Sequence, residues 1–135
     1  MKKKKLKSIK SLHKKAWALM SEYVRLRDKG ICVTCGKKDD PKLMHAGHFV
    51  HKRSMDFDGR NISCQCPQCN KWKHGNLGIY AIEIDKKHGA GTAEKLIIKG
   101  HEVKKFTREE LTEIIEDTEK LINRLKFEEL SIKKG

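Results

Sequence analysis

The sequence predicts an α+β fold, mostly helical, in which a cysteine-stapled centre lies between a basic N-terminal helix and C-terminal helices. Three observations support this. Apolar residues recur at helical spacing near both ends, and a central stretch rich in Gly, Cys, His, Pro and Asn loses that period. In addition, four of the five cysteines fall into two C-x-x-C pairs. A chain of 135 residues suits one domain that buries roughly two-thirds of its unfolded surface. We read residues 8–135 as that domain, with its core at 31–75 and a helical part at 76–131, preceded by a disordered basic tail at 1–7.

The first helix is expected over 8–29. Ile9, Leu12, Ala16, Leu19, Met20, Tyr23 and Val24 share one face, while Lys10, Lys14, Lys15, Arg25 and Arg27 lie mostly elsewhere. Ser8 suits the N-cap and Gly30 the stop, and Trp17 reads as core. Two short strands follow at about 41–50 and 60–64, then a short helix from near Pro67. Helices at 76–88 and 92–99 flank the Gly89-Ala90-Gly91 break. Thr107 with Glu110 makes a capping box. It opens a last helix whose Leu111, Ile114, Ile115, Thr118, Leu121, Ile122 and Leu125 hold one face to about residue 130. That stripe suits packing on the first helix, or a helix–helix interface with a second copy.

The formal charge is +13, and the first 75 residues carry all of the excess: 19 basic and 6 acidic side chains, against 12 of each in the remainder. Such asymmetry predicts a polyanionic partner for the N-terminal half, nucleic acid before anionic membrane. A solubilising tail accounts for the eight lysines among the first fifteen residues, but not for Lys52, Arg53, Arg60, Lys71 and Lys73 further on. No apolar run approaches the roughly 20 residues of a membrane span. The basic start also lacks the apolar segment of a secretion signal, so a soluble, unexported protein is expected.

Cys32-Val-Thr-Cys35 and Cys66-Pro-Gln-Cys69 are separated by 30 residues. Two such knuckles match a structural zinc site in which four thiolates surround the ion. Redox pairs or disulfides fit less well without a secretion signal. Zinc would also compensate for a lean core, because metal binding adds directly to folding free energy. Cys64, two residues before Cys66, reads as a small buried residue rather than a fifth ligand.

Between and after the knuckles stand Ala46-Gly47-His48-Phe49, Phe57-Asp58-Gly59-Arg60-Asn61-Ile62 and Gln65-Cys66-x-x-Cys69-Asn70, then Gly75-Asn76-Leu77 and Tyr80. With Cys32-x-x-Cys35-Gly36, this order resembles the HNH, or ββα-metal, nucleases. Within them it resembles the NinG/Rap family of phage recombination endonucleases, over about Tyr23 to Leu125. It is also similar to the zinc-stapled, junction-cutting phage endonuclease VII, where an Asn likewise follows the last zinc cysteine.

The resemblance implies a zinc-stapled ββα-metal (HNH-like) core and a metal-dependent, structure-specific DNA endonuclease. Its substrates would be branched DNA, Holliday junctions or D-loops, in the cytoplasm of a bacterial host. His48 would be the general base, a task for which an imidazole of pKa about 6.5 is suited. Asn61 would hold the His48 ring or the neighbouring loop. Asn70 would offer its carbonyl oxygen to a catalytic Mg²⁺ or Mn²⁺. Many HNH enzymes place a metal-ligating side chain directly before the base, where this chain has Gly47. His45 is the leading substitute, with His51 and Asp58 behind it.

Lys52, Arg53, Arg60, Lys71, Lys73, Lys14 and Lys15 would contact DNA, and His74 reads as a phosphate contact or a surface residue. Trp72 suits stacking on an exposed base or, preferably, packing inward. A homodimer or a phage recombinase as partner is compatible with the resemblance. The alternative readings are a non-catalytic zinc-stapled DNA-binding module and a recombination adaptor.

Overall fold

Four helices carry about half of the chain in the computed structural model, which describes residues 6–134. They are α1 (Ile9–Arg27), α2 (Leu77–His88), α3 (Thr92–Lys99) and α4 (Arg108–Lys134), and β1 (His45–His48) pairs antiparallel with β2 (Ile62–Gln65). The fold is thus mostly helical α+β with a small two-stranded sheet and a cysteine cluster. Of the expected tail, residues 1–5 lie outside the described residues. Among the described residues no helix is long and apolar enough to cross a membrane.

Ser8 caps α1 by accepting from the Ser11 backbone N–H at 3.0 Å, and the buried stripe of the helix is His13, Ala16, Met20 and Val24. The Thr107–Glu110 capping box opens α4, with both reciprocal hydrogen bonds at 3.1 Å. Ion pairs Lys15–Glu119 and Glu22–Lys126 step forward together along the two helices, so α1 and α4 run parallel. Leu111 and Ile115 pack against Ala16. Leu111, Ile115, Thr118 and Ile122 of the α4 stripe are therefore buried within the chain, whereas Leu121 is exposed, and the helix continues past 130 and leaves Phe127, Leu130 and Ile132 exposed.

Both strands are shorter than expected. Pro41–Leu43 forms a single 3₁₀ turn, capped by the Asp40 carboxylate on the Lys42 N–H at 2.9 Å. Pro41 has no N–H to give a ladder, and pairing begins at His45. β2 starts two residues later than expected and runs to Gln65, in register His48 to Ile62 and His45 to Gln65. The helix expected from Pro67 is one π-type turn, Gln68–Trp72.

The sheet is held from both sides. On one, Met20 and Val24 of α1 cover Ile62, and the Arg27 guanidinium donates to the carbonyls of Gly59 and Ile62 at 3.0 and 2.9 Å. On the other, Phe49, Met55, Tyr80, Ile84 and Leu96 join the loop after β1 to α2 and α3. The buried Tyr80 hydroxyl donates to the Gly47 carbonyl at 2.7 Å.

Candidate functional site

The chain leaves α1 through Lys29 and Gly30, both at positive φ. A Cβ on Gly30 would stand 2.0 Å from the Asp39 carbonyl oxygen, so only glycine lets the first knuckle close there. The sulfurs of Cys32, Cys35, Cys66 and Cys69 lie within 4.8 Å of one another, with Cys35 and Cys66 at 3.6 Å. Four thiolates at about 2.3 Å from a tetrahedral zinc stand about 3.8 Å apart, so the four sulfurs fit that ion. Burial pushes the Cys32 thiol up, but the Thr34 hydroxyl and neighbouring backbone N–H groups outweigh it and bring Cys32 down to about 6. Cys35 moves the other way, to about 12, through its own desolvation and the neighbouring thiols. Cys64 is fully buried and lies outside the quartet, and burial lifts its thiol to about 12.

Strand alternation sends Ala46 and His48 toward α1, where Ala46 joins Met20, Val24 and Ile62. The His48 ring stacks on Trp17 at 4.6 Å and 20°. Trp17, expected as core, is half-buried and forms a wall of the site. His48 Nε2 meets Asp56 Oδ1 at 2.8 Å, and the other carboxylate oxygen meets His13 Nε2 at 2.8 Å. His13 Nδ1 accepts from Arg53 Nε at 3.5 Å. Burial pushes the Asp56 carboxyl up, but the two imidazoles pull it below the usual carboxylate range, and it stays ionised.

Asn61 is fully buried. Its oxygen accepts from the Val50 N–H at 2.8 Å, and its amide donates to the carbonyls of Val50 and Met55 at 3.0 and 3.3 Å. Of the two expected roles, its bonds serve the second: they pin the loop that delivers Asp56 and do not reach the His48 ring.

On the opposite face of β1, the Asn70 amide donates to His45 Nδ1 at 3.0 Å. At Gly47, a Cβ would lie 1.9 Å from Gln65 Oε1. Gln65 is fully buried, and its amide nitrogen is fixed by the Gly75 carbonyl at 2.8 Å. Its oxygen is the buried side-chain polar atom without a hydrogen-bond partner among the described residues. Gln65 thus fills the space that any side chain at position 47 would need.

His51 links the two faces. Its ring lies 5.5 Å from His48, and its Nε2 lies 3.8 Å from the Cβ position of Gly75, whose N–H bonds the Cys69 carbonyl. Desolvation, then the nearby His48, lowers the pKa of His51. Asp58 stands apart. Burial raises it, but Arg60 and Lys99 overcome that and hold it at about 2, so it is committed to those cations.

Of the basic residues, Lys52, Arg53, Lys71, Lys73 and Lys14 are exposed. Arg60 grips Asp58 at 3.2 Å, and Lys15 faces Glu119 at 3.9 Å. His74 is on the surface. Trp72 is 74% exposed, which overturns the expectation that it packs inward: the π-type turn directs it away from the core. Asp56 and His13 escaped sequence reasoning. The available signal was His13 itself, which shares the 13-16-20-24 stripe with three apolar residues.

A family model described as Bacteriophage Lambda NinG protein matches residues 1–128. Among curated proteins, the chain is 32% identical over 101 residues to protein ninG of Escherichia phage 933W, covering 72% of this chain and 49% of that one. Identity is 31% over 101 residues to protein ninG of Salmonella phage P22 and of Escherichia phage lambda, covering 72% of this chain and 49% and 48% of theirs. The chain therefore spans about half the length of the curated relatives it matches. No solved structure matches it.

Proposed function

Because the chain belongs to the NinG family, we propose that it is a metal-dependent endonuclease hydrolysing phosphodiester bonds in branched DNA. The observation that carries this reading is the 2.8 Å hydrogen bond from His48 Nε2 to an ionised Asp56. A carboxylate only accepts, so Nε2 must hold the proton, and Nδ1 keeps the lone pair a general base requires. Trp17 restrains the ring by stacking, and Asn61 restrains the loop that brings Asp56. A base held in this way is set to take a proton from a water attacking a phosphate at the end of β1.

A divalent cation, Mg²⁺ or Mn²⁺, supplies Lewis-acid stabilisation of the phosphate charge and the leaving oxygen when bound. Asn70 would hold it through its side-chain oxygen, the only acceptor of that amide. The bond to His45 Nδ1 uses an Asn70 N–H, so His45 fits an orienting role better than the ligand role first assigned to it. Zinc held by the four cysteines would anchor Asn70, which directly follows Cys69. Exposed lysines and the charge of the first half supply affinity for phosphates. Branched substrates and action in the host cytoplasm are what the resemblance to phage recombination endonucleases implies, and a dimer with one site per strand is compatible with it.

The test is cleavage of a labelled four-way junction, a D-loop and a linear duplex with Mg²⁺, Mn²⁺ or neither. Metal-dependent cutting of the branched substrates is expected, reduced at least about 10²-fold in His48→Ala with zinc content and DNA affinity unchanged. Binding of all three without cutting would instead leave a zinc-stapled DNA-binding module.

A further inference from the structure

We propose that Trp72 is a stacking platform for an unpaired nucleobase of the bound DNA. The inference rests on the nuclease reading for its substrate, though not on cleavage itself. Three observations converge. First, a tryptophan 74% exposed beside a tight knuckle leaves apolar surface in water that a short repacking would hide. Second, the backbone holds it there. His74, Gly75 and Asn76 follow at φ of 49°, 86° and 50°, a run of left-handed residues that non-glycine side chains rarely adopt.

That run is pinned on several sides. The Gly75 N–H bonds the Cys69 carbonyl at 2.9 Å, the Asn76 N–H bonds the Lys73 carbonyl at 2.8 Å, and the Gly75 carbonyl receives the buried Gln65 amide. The chain is thus turned sharply just after Trp72, and the ring is displayed on a zinc-anchored loop rather than on a mobile one.

Third, the surroundings select the partner. Lys71 and Lys73 flank the ring and are exposed, and the Lys71 ammonium lies 6.0 Å from the ring centroid. An aromatic face between two cations fits a base with a phosphate on either side. Trp72 lies two residues beyond Asn70 in the same turn, a spacing that points the two side chains to different sides, so its partner is a nucleotide flanking the one that is cut. In an intact duplex both faces of each base are occupied by stacking. Only an unpaired or splayed nucleotide offers a free face, which gives the protein a physical means of preferring branched DNA.

The experiment uses the full zinc-loaded chain without added Mg²⁺ or Mn²⁺. It compares a duplex with the same duplex carrying a short single-stranded gap, 2-aminopurine being placed at the gap or at the equivalent paired position. Wild type is expected to change 2-aminopurine fluorescence only in the gap. Trp72→Ala is expected to lose about tenfold in affinity for the gapped DNA, as stacking of one base implies, with under about twofold change on the duplex. Trp72→Phe should keep most of the wild-type affinity. Equal losses on both DNAs, no loss on either, or a fall in zinc content in Trp72→Ala would each overturn the proposal. Cutting that still depends on His48 in such a case would leave the nuclease reading standing without the platform.

Discussion

At the scale of single residues, the least replaceable group at the candidate site is Asp56, because each of its oxygens serves a different imidazole. Asparagine offers one acceptor and one donor there. In Asp56→Asn, either His48 or His13 must therefore change tautomer or turn away. We expect the cleavage rate at saturating DNA to fall about 10²-fold, with affinity and zinc content unchanged, in single-turnover assays beside binding isotherms. An unaltered rate would remove Asp56 from the mechanism. His48, Asn61 and Asn70 could be named as candidates from the sequence because they follow one another in a recognisable order between and after the cysteine knuckles. Asp56 could not, because it arrives on an irregular loop whose position depends on the buried Asn61 amide, and its second partner comes from α1. Position 47 shows the same limit. Gly47 reads as a missing ligand, but only the fold reveals that the Gln65 side chain occupies the space.

At the scale of elements, periodicity located α1 and α4, since a continuous buried stripe must repeat with the helical turn, and the Gly89-Ala90-Gly91 break separated α2 from α3. The strands were less legible. Four-residue strands carry too little alternation to fix their ends, which are set here by Pro41 and by the knuckle at Cys66. Neither did the sequence foretell the π-type turn that exposes Trp72, since its bonds close around the cysteine cluster. One tie between elements carries a pH signature. Asp58, in the loop before β2, bonds Lys99 at the end of α3 at 2.7 Å, and its side chain is 9% exposed. Its folded pKa, about 2, lies below the unfolded value of about 3.9. Its contribution is therefore complete above about pH 4 and is lost as pH falls from there toward 2. Asp58→Asn should lower stability by about 1–2 kcal/mol at pH 7, and the gap to wild type should close by pH 2 in denaturant titrations. A gap that persists at pH 2 would mean that the loss comes from packing.

At the scale of the whole molecule, three apolar clusters and one cysteine cluster hold the helices and the sheet together. The α1–α4 seam of Ala16, Leu111 and Ile115 contains no cysteine, nor does the group of Phe49, Met55, Tyr80, Ile84 and Leu96, nor that of Met20, Val24 and Ile62 between α1 and β2. The fourth cluster is Met44 with Cys32, Cys64, Cys66 and Cys69, too small in apolar area to close the loops from Ile31 to His45 and from Gln65 to Gly75 by burial alone. Metal binding at such a quartet contributes on the order of 10 kcal/mol, comparable to the net stability of a domain this size. Removing zinc should therefore act on one part of the molecule first. Once the knuckles open, β1 and β2 lose the anchor at Cys66, while the parallel seam of α1 and α4 keeps its apolar contacts. We expect a chelator that brings zinc content to zero to abolish hydrogen-exchange protection at His45–His48 and Ile62–Gln65, and to leave most of the helical circular dichroism. Restored zinc should return the protection. Protected strand amides at zero zinc would show that the apolar clusters, above all the packing of Met20 and Val24 on Ile62, hold the sheet unaided, and would reduce the quartet to a local staple.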